Sequence, residues 1–436
     1  MNAVRRTGFV LSSACAISVI LAVILVVMWA SFAFAASGGL DPAFSGDGKV
    51  MTNFTPGFDG ANAVAIQTDG KVVVAGGTGA TLTEGNFALV RYNANGTLDA
   101  TFGGNGKVTT AFTPGRDIAN AVAIQADGKI VAAGEAGGIG RTFALARYNA
   151  NGTLDNTFGG DGKVMTNFSI GMDSAAGVVI QSNGKIVAAG TAYVDCGCNK
   201  FGLARYNANG ILDTTFGGDG KVTSSFNGGA HANALALQAN GKLVVAGSAS
   251  ELAWFALARY RPNGTLDTTF SANGKLTTRM GRGETAATGV AIQANGKIVA
   301  AGYSDAPHEF GDTFGPGKFA LARYRVDGTL DPSFGGDGRV KTRFGTRTAA
   351  ANTVAIQGNG KIVAAGASRR GRLFALARYN LDGSRDTTFS GDGRVTTNFT
   401  SGADAARGVA VRAGEIVCAG HAAGSGGRFA VSRYLA

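Results

Sequence analysis

The chain has 436 residues, among them 69 Gly but only 7 Pro, with 45% apolar residues and a formal net charge of +11. The Gly fall in turns and the apolar content is ordinary, which excludes a disordered or collagen-like chain. The positive charge is spread over the whole sequence instead of gathered on one face, which argues against nucleic acid as a partner.

The first 35 residues differ from the rest. Arg5 and Arg6 precede an apolar run from Phe9 to Phe34, which closes on Ala33-Phe34-Ala35. A positive start, an apolar stretch and an Ala-x-Ala site form the pattern of a secretory signal peptide. The same run is long enough to stay as an uncleaved anchor. The sequence therefore predicts a signal peptide over 1–35 and one folded body over 36–436. The exported chain is extracellular or envelope-associated in a bacterium, and no transmembrane segment remains after cleavage. Losing Arg5 and Arg6 leaves 38 basic against 29 acidic residues, a net +9.

From Leu40 onward one unit of about 55 residues is written seven times. Each unit opens on an Asp with a Phe three positions later: Asp41/Phe44, Asp99/Phe102, Asp155/Phe158, Asp213/Phe216, Asp267/Phe270, Asp331/Phe334 and Asp386/Phe389. Repeats of this length without helical periodicity indicate a propeller or solenoid, because one unit cannot bury its own apolar face. In the second unit, Asn120–Gln125 and Lys129–Gly134 are short β-rich runs joined through Asp127-Gly128, a hairpin signal. Asp and Asn alternate at that turn in other units, as in Asp69-Gly70 and Asn183-Gly184, so the position requires backbone geometry and not charge. A variable loop leads to Phe143-Ala144-Leu145-Ala146-Arg147-Tyr148, and Gly162–Phe168 supplies a fourth strand. Four meandering antiparallel strands make one propeller blade. The fold class is all-β, a seven-bladed β-propeller of four-stranded antiparallel blades. Recurring Phe, for example Phe102, Phe112 and Phe143, place the main packing between blades.

The chain starts on an outer-type strand, residues 48–54, and stops after the third-type strand, residues 428–434. With the small-residue strand innermost, residues 48–54 should complete the last blade and close the ring.

The segments Leu-Asp-x-x-Phe-Gly-Gly-Asp-Gly-Lys-Val, Gln-x-Asp-Gly-Lys-Ile-Val-Ala-Ala-Gly and Phe-Ala-Leu-Ala-Arg-Tyr resemble the bacterial delta-60 repeat family over Leu40 to Ala436. The resemblance implies a β-propeller of otherwise uncharacterised function and supplies no catalytic residues. The seventh unit departs from the pattern, with Arg385 for Leu, Arg412 for Gln and a turn shortened to Ala413-Gly414-Glu415.

Seven Arg-Tyr pairs begin at Arg91, Arg147, Arg205, Arg259, Arg323, Arg378 and Arg433. These Arg share a strand face with Phe and Leu, so they need carboxylate partners. Asp99, Asp155, Asp213, Asp267, Asp331 and Asp386 are the candidates, and both sets are read as structural. Cys418 replaces an Ala of a strand and reads as a small buried hydrophobe. Cys196 and Cys198 sit in a loop and could form a local disulfide.

Two loop sets vary between units: those between the second and third strands, and those leading into the innermost strand. They emerge on one face, and binding residues belong on loops held by a rigid scaffold. The longest such loop, residues 303–318, holds Asp305, His308, Glu309 and Asp312 as candidate ligand contacts, and Trp254 is a fifth. His231, His308 and His421 all read as variable-loop residues on separate blades. No ligand spacing for a metal is present, so neither metal nor cofactor is expected.

The inner strands read as Ala-, Val- and Gly-rich without carboxylates, and no Gly-x-Ser-x-Gly or His-Glu-x-x-His occurs. The sequence thus predicts no enzyme. It predicts a monomeric binding or interaction module whose partner is a protein or glycan of the envelope. A multivalent lectin and a hydrolase with a loop-borne active site are the alternatives.

Overall fold

The computed structural model describes residues 37–436, apart from 80, 82, 170, 195–197, 250–253, 307–316, 347, 369–370 and 425. The signal-peptide expectation over 1–35 lies outside the described residues, as do Cys196, His308, Glu309 and Asp312. Seven four-stranded antiparallel sheets follow one another, each neighbouring the next, and the last neighbours the first. The chain is a seven-bladed β-propeller. We number as blade 1 the sheet of Phe58–Ile66, Val72–Gly79, Asn86–Tyr92 and Lys107–Thr110, written from the axis outward. The innermost strands of blades 2 to 7 are Ile118–Ile124, Ser174–Ile180, Ala230–Leu237, Glu284–Ile292, Ala349–Ile356 and Asp404–Arg412. No described helix is long and apolar enough to cross a membrane.

Local chemistry sets the hairpins. Between the first two strands of blade 2, Gly128 takes a φ of 84° and the Asp127 carboxylate accepts the Lys129 amide at 3.1 Å. In blade 3 the Asn183 side-chain oxygen accepts the Lys185 amide at the same distance, which is why Asp and Asn interchange there. The Gly that ends each Ile-Val-Ala-Ala-Gly run has a different cause. Opposite Gly134 the inner strand bulges, and a Cβ would fall 1.9 Å from the Ile118 carbonyl oxygen.

Apolar side chains pack between blades, not within them. Seven clusters of buried residues each join two consecutive blades; Val73, Leu89 and Phe102 of one cluster meet Ala119, Ile130 and Tyr148. A cluster of the same kind links Val417 and Phe429 of blade 7 to Val72 and Val90 of blade 1, with Phe44 in it. A blade alone would expose both faces, so the ring is the folding unit.

Closure uses both ends of the chain. Lys49–Thr52 is the outer strand of blade 7, pairing Lys49 with Ser432 and Thr52 with Phe429 beside strands laid down at the C-terminus. Blade 7 thereby has its full four strands, and the ring keeps only the short strand edges at its rim and axis.

The Arg-Tyr pair clamps each blade to both neighbours. Arg147 of blade 2 meets Asp155 at 2.7 Å and its other guanidinium nitrogens donate forward to the Ala208 carbonyl of blade 3 and to Thr157. Tyr148 points backward, and its hydroxyl donates to Thr110 of blade 1 at 2.8 Å. The same Arg–Asp contact, at 2.6–2.8 Å, recurs in all seven blades, the seventh being Arg433 with Asp41. In six blades a hairpin Lys reaches the same carboxylate, for example Lys129 to Asp155 at 2.9 Å. Blade 7 has Glu415 at that position, and it pairs with Arg433 instead, at 3.4 Å. Cys418 is a fully buried free thiol whose pKa is raised by burial. Cys198 opens the third strand of blade 3.

Candidate functional site

Each innermost strand carries a bulge at one recurring position. A bulge re-aims the side chain it carries. The bulged residues are Asn62, Asn120, Ala176, Asn233, Thr288, Asn352 and Arg407, and together they line a central channel of about 650 Å³. Most of them bond to the next blade around the axis. Asn62 donates to the Ala119 carbonyl at 2.9 Å, Asn120 to Ala175 at 3.0 Å, and Asn233 to Ala287 at 2.9 Å. Thr288 donates to Ala351 and Asn352 to Ala406, both at 2.7 Å. Arg407 links blade 7 back to blade 1 by donating to the side-chain oxygen of Asn62 at 2.9 Å. Ala176 has no donor to offer, so the junction of blades 3 and 4 lacks this bond.

The inner strands do carry carboxylates, contrary to the reading of them as purely small and apolar. Asp59 and Asp404 open the inner strands of blades 1 and 7, while Asp117 and Asp173 immediately precede those of blades 2 and 3. All four are buried and hold the loop before them. Asp117 accepts the amides of Phe112 and Thr113 and the Thr113 hydroxyl at 2.7–3.0 Å. Asp59 and Asp404 do the same for Phe54/Thr55 and Phe399/Thr400. The signal is Phe-[Thr/Ser]-x-Gly-x-Asp, present in the four consecutive blades 7, 1, 2 and 3 and missing from the others.

Within that arc a recess of about 330 Å³ opens onto the channel. It lies where the loops between second and third strands, and those entering the inner strands, emerge. Its walls include Arg116 from the loop entering blade 2, Arg407 and His421 of blade 7, Asn62, and the apolar Phe58 and Ile118. Arg407 faces channel water while protein packs round its flanks. That burial, and then the charge of Arg116, lower its pKa. Among the described residues neither Arg makes an ion pair. His421 sits on the second strand of its blade, Glu415–Gly424, and His231 on the innermost strand Ala230–Leu237. Their expected loop positions are thus corrected: the strands run further toward the mouth than the repeat pattern indicates. Burial chiefly, then the Arg407 charge, push the His421 pKa down to about 4, with Asp404 pulling the other way. Its Nδ1 is buried and has no hydrogen-bond partner among the described residues.

The residues singled out from sequence lie elsewhere. Asp305 is in blade 5, with a φ of 58°, held by Lys318 at 2.9 Å, Lys341 at 3.4 Å and the Arg282 amide at 3.1 Å. Trp254 begins the third strand of blade 4 and pairs with Ala249. Neither lines the recess. Arg407 could have been found from sequence: when the units are aligned on Ala-x-small-Val/Leu, it is the one charged residue in a column of Asn, Thr and Ala.

Six segments match one family model. It is described as a domain of unknown function (DUF5122) β-propeller, and the segments are 67–102, 125–158, 181–216, 238–270, 293–334 and 357–389. Each DUF5122 segment runs from a hairpin turn to the next Asp-x-x-Phe. The remaining copy is split between the chain ends and carries Arg412 and the shortened turn. No curated protein matches the chain. Among solved structures it is similar to a catalytically inactive virginiamycin B lyase variant from Staphylococcus aureus with quinupristin. The identity is 10%, covering 88% of this chain and 98% of that one, with a TM-score of 0.51. A polysaccharide lyase, Uly1, is 11% identical over 88% and 91% of the two chains, with a TM-score of 0.49. A protein of unknown function from Dyadobacter fermentans is 12% identical over 89% and 98%, with a TM-score of 0.43.

The expectation that the chain is not an enzyme does not stand. A lyase shares the architecture, so the fold itself is no argument against catalysis. At this identity the likeness shows the fold alone and assigns no activity.

The titrating groups give the molecule a pH signature. Burial works to raise the pKa of Asp99, Asp155, Asp213, Asp267, Asp331 and Asp386. The neighbouring hydroxyl, the hairpin Lys, a backbone amide and the Arg outweigh it and hold each below the ordinary carboxylate value. A lowered folded value means stability that is present above the unfolded pKa of about 4 and lost as pH falls through the folded one. His421, also lowered, likewise takes up its proton more readily when unfolded, beginning near about pH 6.5. The melting temperature, followed by circular dichroism, should fall gently below about pH 6.5 and steeply below about pH 4. His421→Asn should reduce the first slope, leaving the part due to His231, whose pKa burial also lowers, and should leave the second. A melting temperature constant between pH 5 and pH 3 would show that these carboxylates are not held by the folded state.

Proposed function

We propose that the chain is an exported β-propeller binding module of the bacterial cell envelope or extracellular space, and that its ligand sits in the recess among blades 7, 1 and 2. The observation that supports this is the Arg116–Arg407–His421 group, which makes no ion pair among the described residues, in a concave site on the variable-loop face. Clefts of this size with a few converging polar groups are the usual form of small-ligand sites. The group occurs in one arc of the ring, which favours one site per chain over a multivalent lectin. The motifs also fit the bacterial delta-60 repeat proteins, and the envelope partner is a glycan or protein that presents such a ligand.

The test is retention of a small molecule by the full chain after mild purification, read by mass spectrometry. Gly60 lines the recess, and a Cβ there would make only ordinary contact, 3.5 Å from the His421 Cβ. The first side-chain carbon of Gly60→Trp therefore has room, and its ring would occupy the recess; circular dichroism checks that the variant folds. A ligand retained by the parent and absent from a folded Gly60→Trp is expected. Equal retention by both would remove the recess from consideration.

One observation favours a second reading, catalysis in the same place. His421 lines the recess with its pKa pushed down to about 4, so its unprotonated ring is a weak base that an anionic ligand, by raising that pKa, would strengthen. Turnover of the retained ligand that His421→Gln abolishes without weakening binding would establish that reading.

A further inference from the structure

We propose that the recess recognises a small molecule by an oxyanion, a carboxylate or phosphate seated between the guanidinium groups of Arg407 and Arg116, with the rest of the molecule lying against Phe58. The inference rests on the recess being the ligand site and adds the chemical class of the ligand.

Four observations carry it. First, the seven Arg of the Arg-Tyr pairs each have a carboxylate within 2.8 Å. Arg116 and Arg407 have none among the described residues, although they stand close enough for the charge of one to act on the other. Both are exposed to solvent on the lining of one recess, and two like charges facing the same concavity attract an anion and are relieved by it. Second, the acids nearby do not serve as that anion. The Asp59 carboxylate is turned to the Phe54 and Thr55 amides and the Thr78 hydroxyl. Asp404 is turned to the Phe399 and Thr400 amides, and Glu84 stands exposed on the rim without an ion pair to either Arg. Third, Arg407 is already oriented. Its bond to Asn62 restrains one guanidinium nitrogen and leaves the other donors for a two-oxygen group, so less freedom is lost when such a group docks. Fourth, the recess is not wholly polar. Phe58 leaves 53% of its surface exposed at the rim and Ile118 lies beside it. An exposed ring next to a cationic pair suits a ligand with one charged end and one flat apolar face, of the size of a sugar acid or sugar phosphate.

The test is calorimetric titration of the full chain with D-galacturonate, glucose 6-phosphate, inorganic phosphate and neutral D-galactose. At least one of the anions should bind about tenfold or more tightly than galactose. Galacturonate ahead of glucose 6-phosphate would identify a carboxylate, and the reverse order a phosphate. For the preferred anion, Arg407→Ala and Arg116→Gln should each weaken binding by about tenfold, and Arg407→Lys should recover only part of the loss because the fork is gone. Arg116→Gln breaks no side-chain hydrogen bond or ion pair among the described residues, so it remains informative if Arg407→Ala disturbs the axis. Affinities equal for galacturonate and galactose, binding untouched by Arg116→Gln, or no anion bound below the order of a millimolar would each overturn the proposal. A neutral ligand retained by the parent and lost from Gly60→Trp would overturn the oxyanion alone and leave the recess as the binding site.

Discussion

Deleting residues 37–56 should open the ring and make the chain self-associate. The deletion removes the Lys49–Thr52 strand from the edge of blade 7, Asp41 from Arg433, Phe44 from the cluster joining blades 7 and 1, and Ser37 from Arg378. Burying Phe44 contributes roughly 2–3 kcal/mol, and losing the carboxylate partner of a buried Arg costs about 3–5 kcal/mol. Together they exceed half of an ordinary domain stability. The strand Gly426–Leu435 would then present an unpaired edge to other molecules. Light scattering should report dimers or larger species. Hydrogen exchange should accelerate at the Arg433 amide, which now donates to the Gly48 carbonyl at 2.9 Å. A monomeric deletion product with that amide still protected would mean that the N-terminal strand does not hold the ring closed.

The second large effect separates two residues that look equivalent in sequence. Arg147→Ala leaves Asp155 with Lys129 at 2.9 Å and with the Thr157 hydroxyl and amide. Its cost should sit near the lower end for a broken buried pair, about 3 kcal/mol. Arg433→Ala leaves Asp41 without a Lys, because Glu415 occupies that place and itself loses Arg433. Two carboxylates are then unpaired, and the bond from Arg433 to the Ala94 carbonyl across the closure is gone. About 5 kcal/mol is expected. Urea unfolding of the two variants decides it: equal losses would show that the hairpin Lys adds nothing to the other six blades.

The fold was legible because it is repetitive. An Asp/Asn-Gly turn, a Phe three residues after each Asp and the phase of the first and last strands are local signals. Seven copies turn a weak local preference into a strong one. The closure by residues 49–52 followed from counting strands. The recess was not legible for the opposite reason. Arg116 precedes blade 2 while Arg407 and His421 belong to blade 7, almost 300 residues away in sequence, and the three meet at blade 1 only because the ring closes. Length of loop pointed instead to residues 303–318, where Asp305 is occupied by Lys318 and Lys341. The inner-strand Asp were overlooked because each lies at the very start of its strand, where a loop ends, and the buried backbone amides they satisfy are not visible in composition. The better signal was deviation within the repeat: Arg in the Asn column, and a loop motif shared by four consecutive units.

Ala176 gives this ring an uneven stiffness. At the other six junctions a side chain on the axis ties one blade to the next, so widening any of them breaks a hydrogen bond. Between blades 3 and 4 that tie is missing, and the ring behaves as a split washer in which strain gathers at the cut. Opening there breaks no hydrogen bond of this set, unlike opening at the other six junctions. The recess at blades 7, 1 and 2 lies across the axis from it, so the molecule can flex at one side while the walls around Arg116 and Arg407 keep their shape.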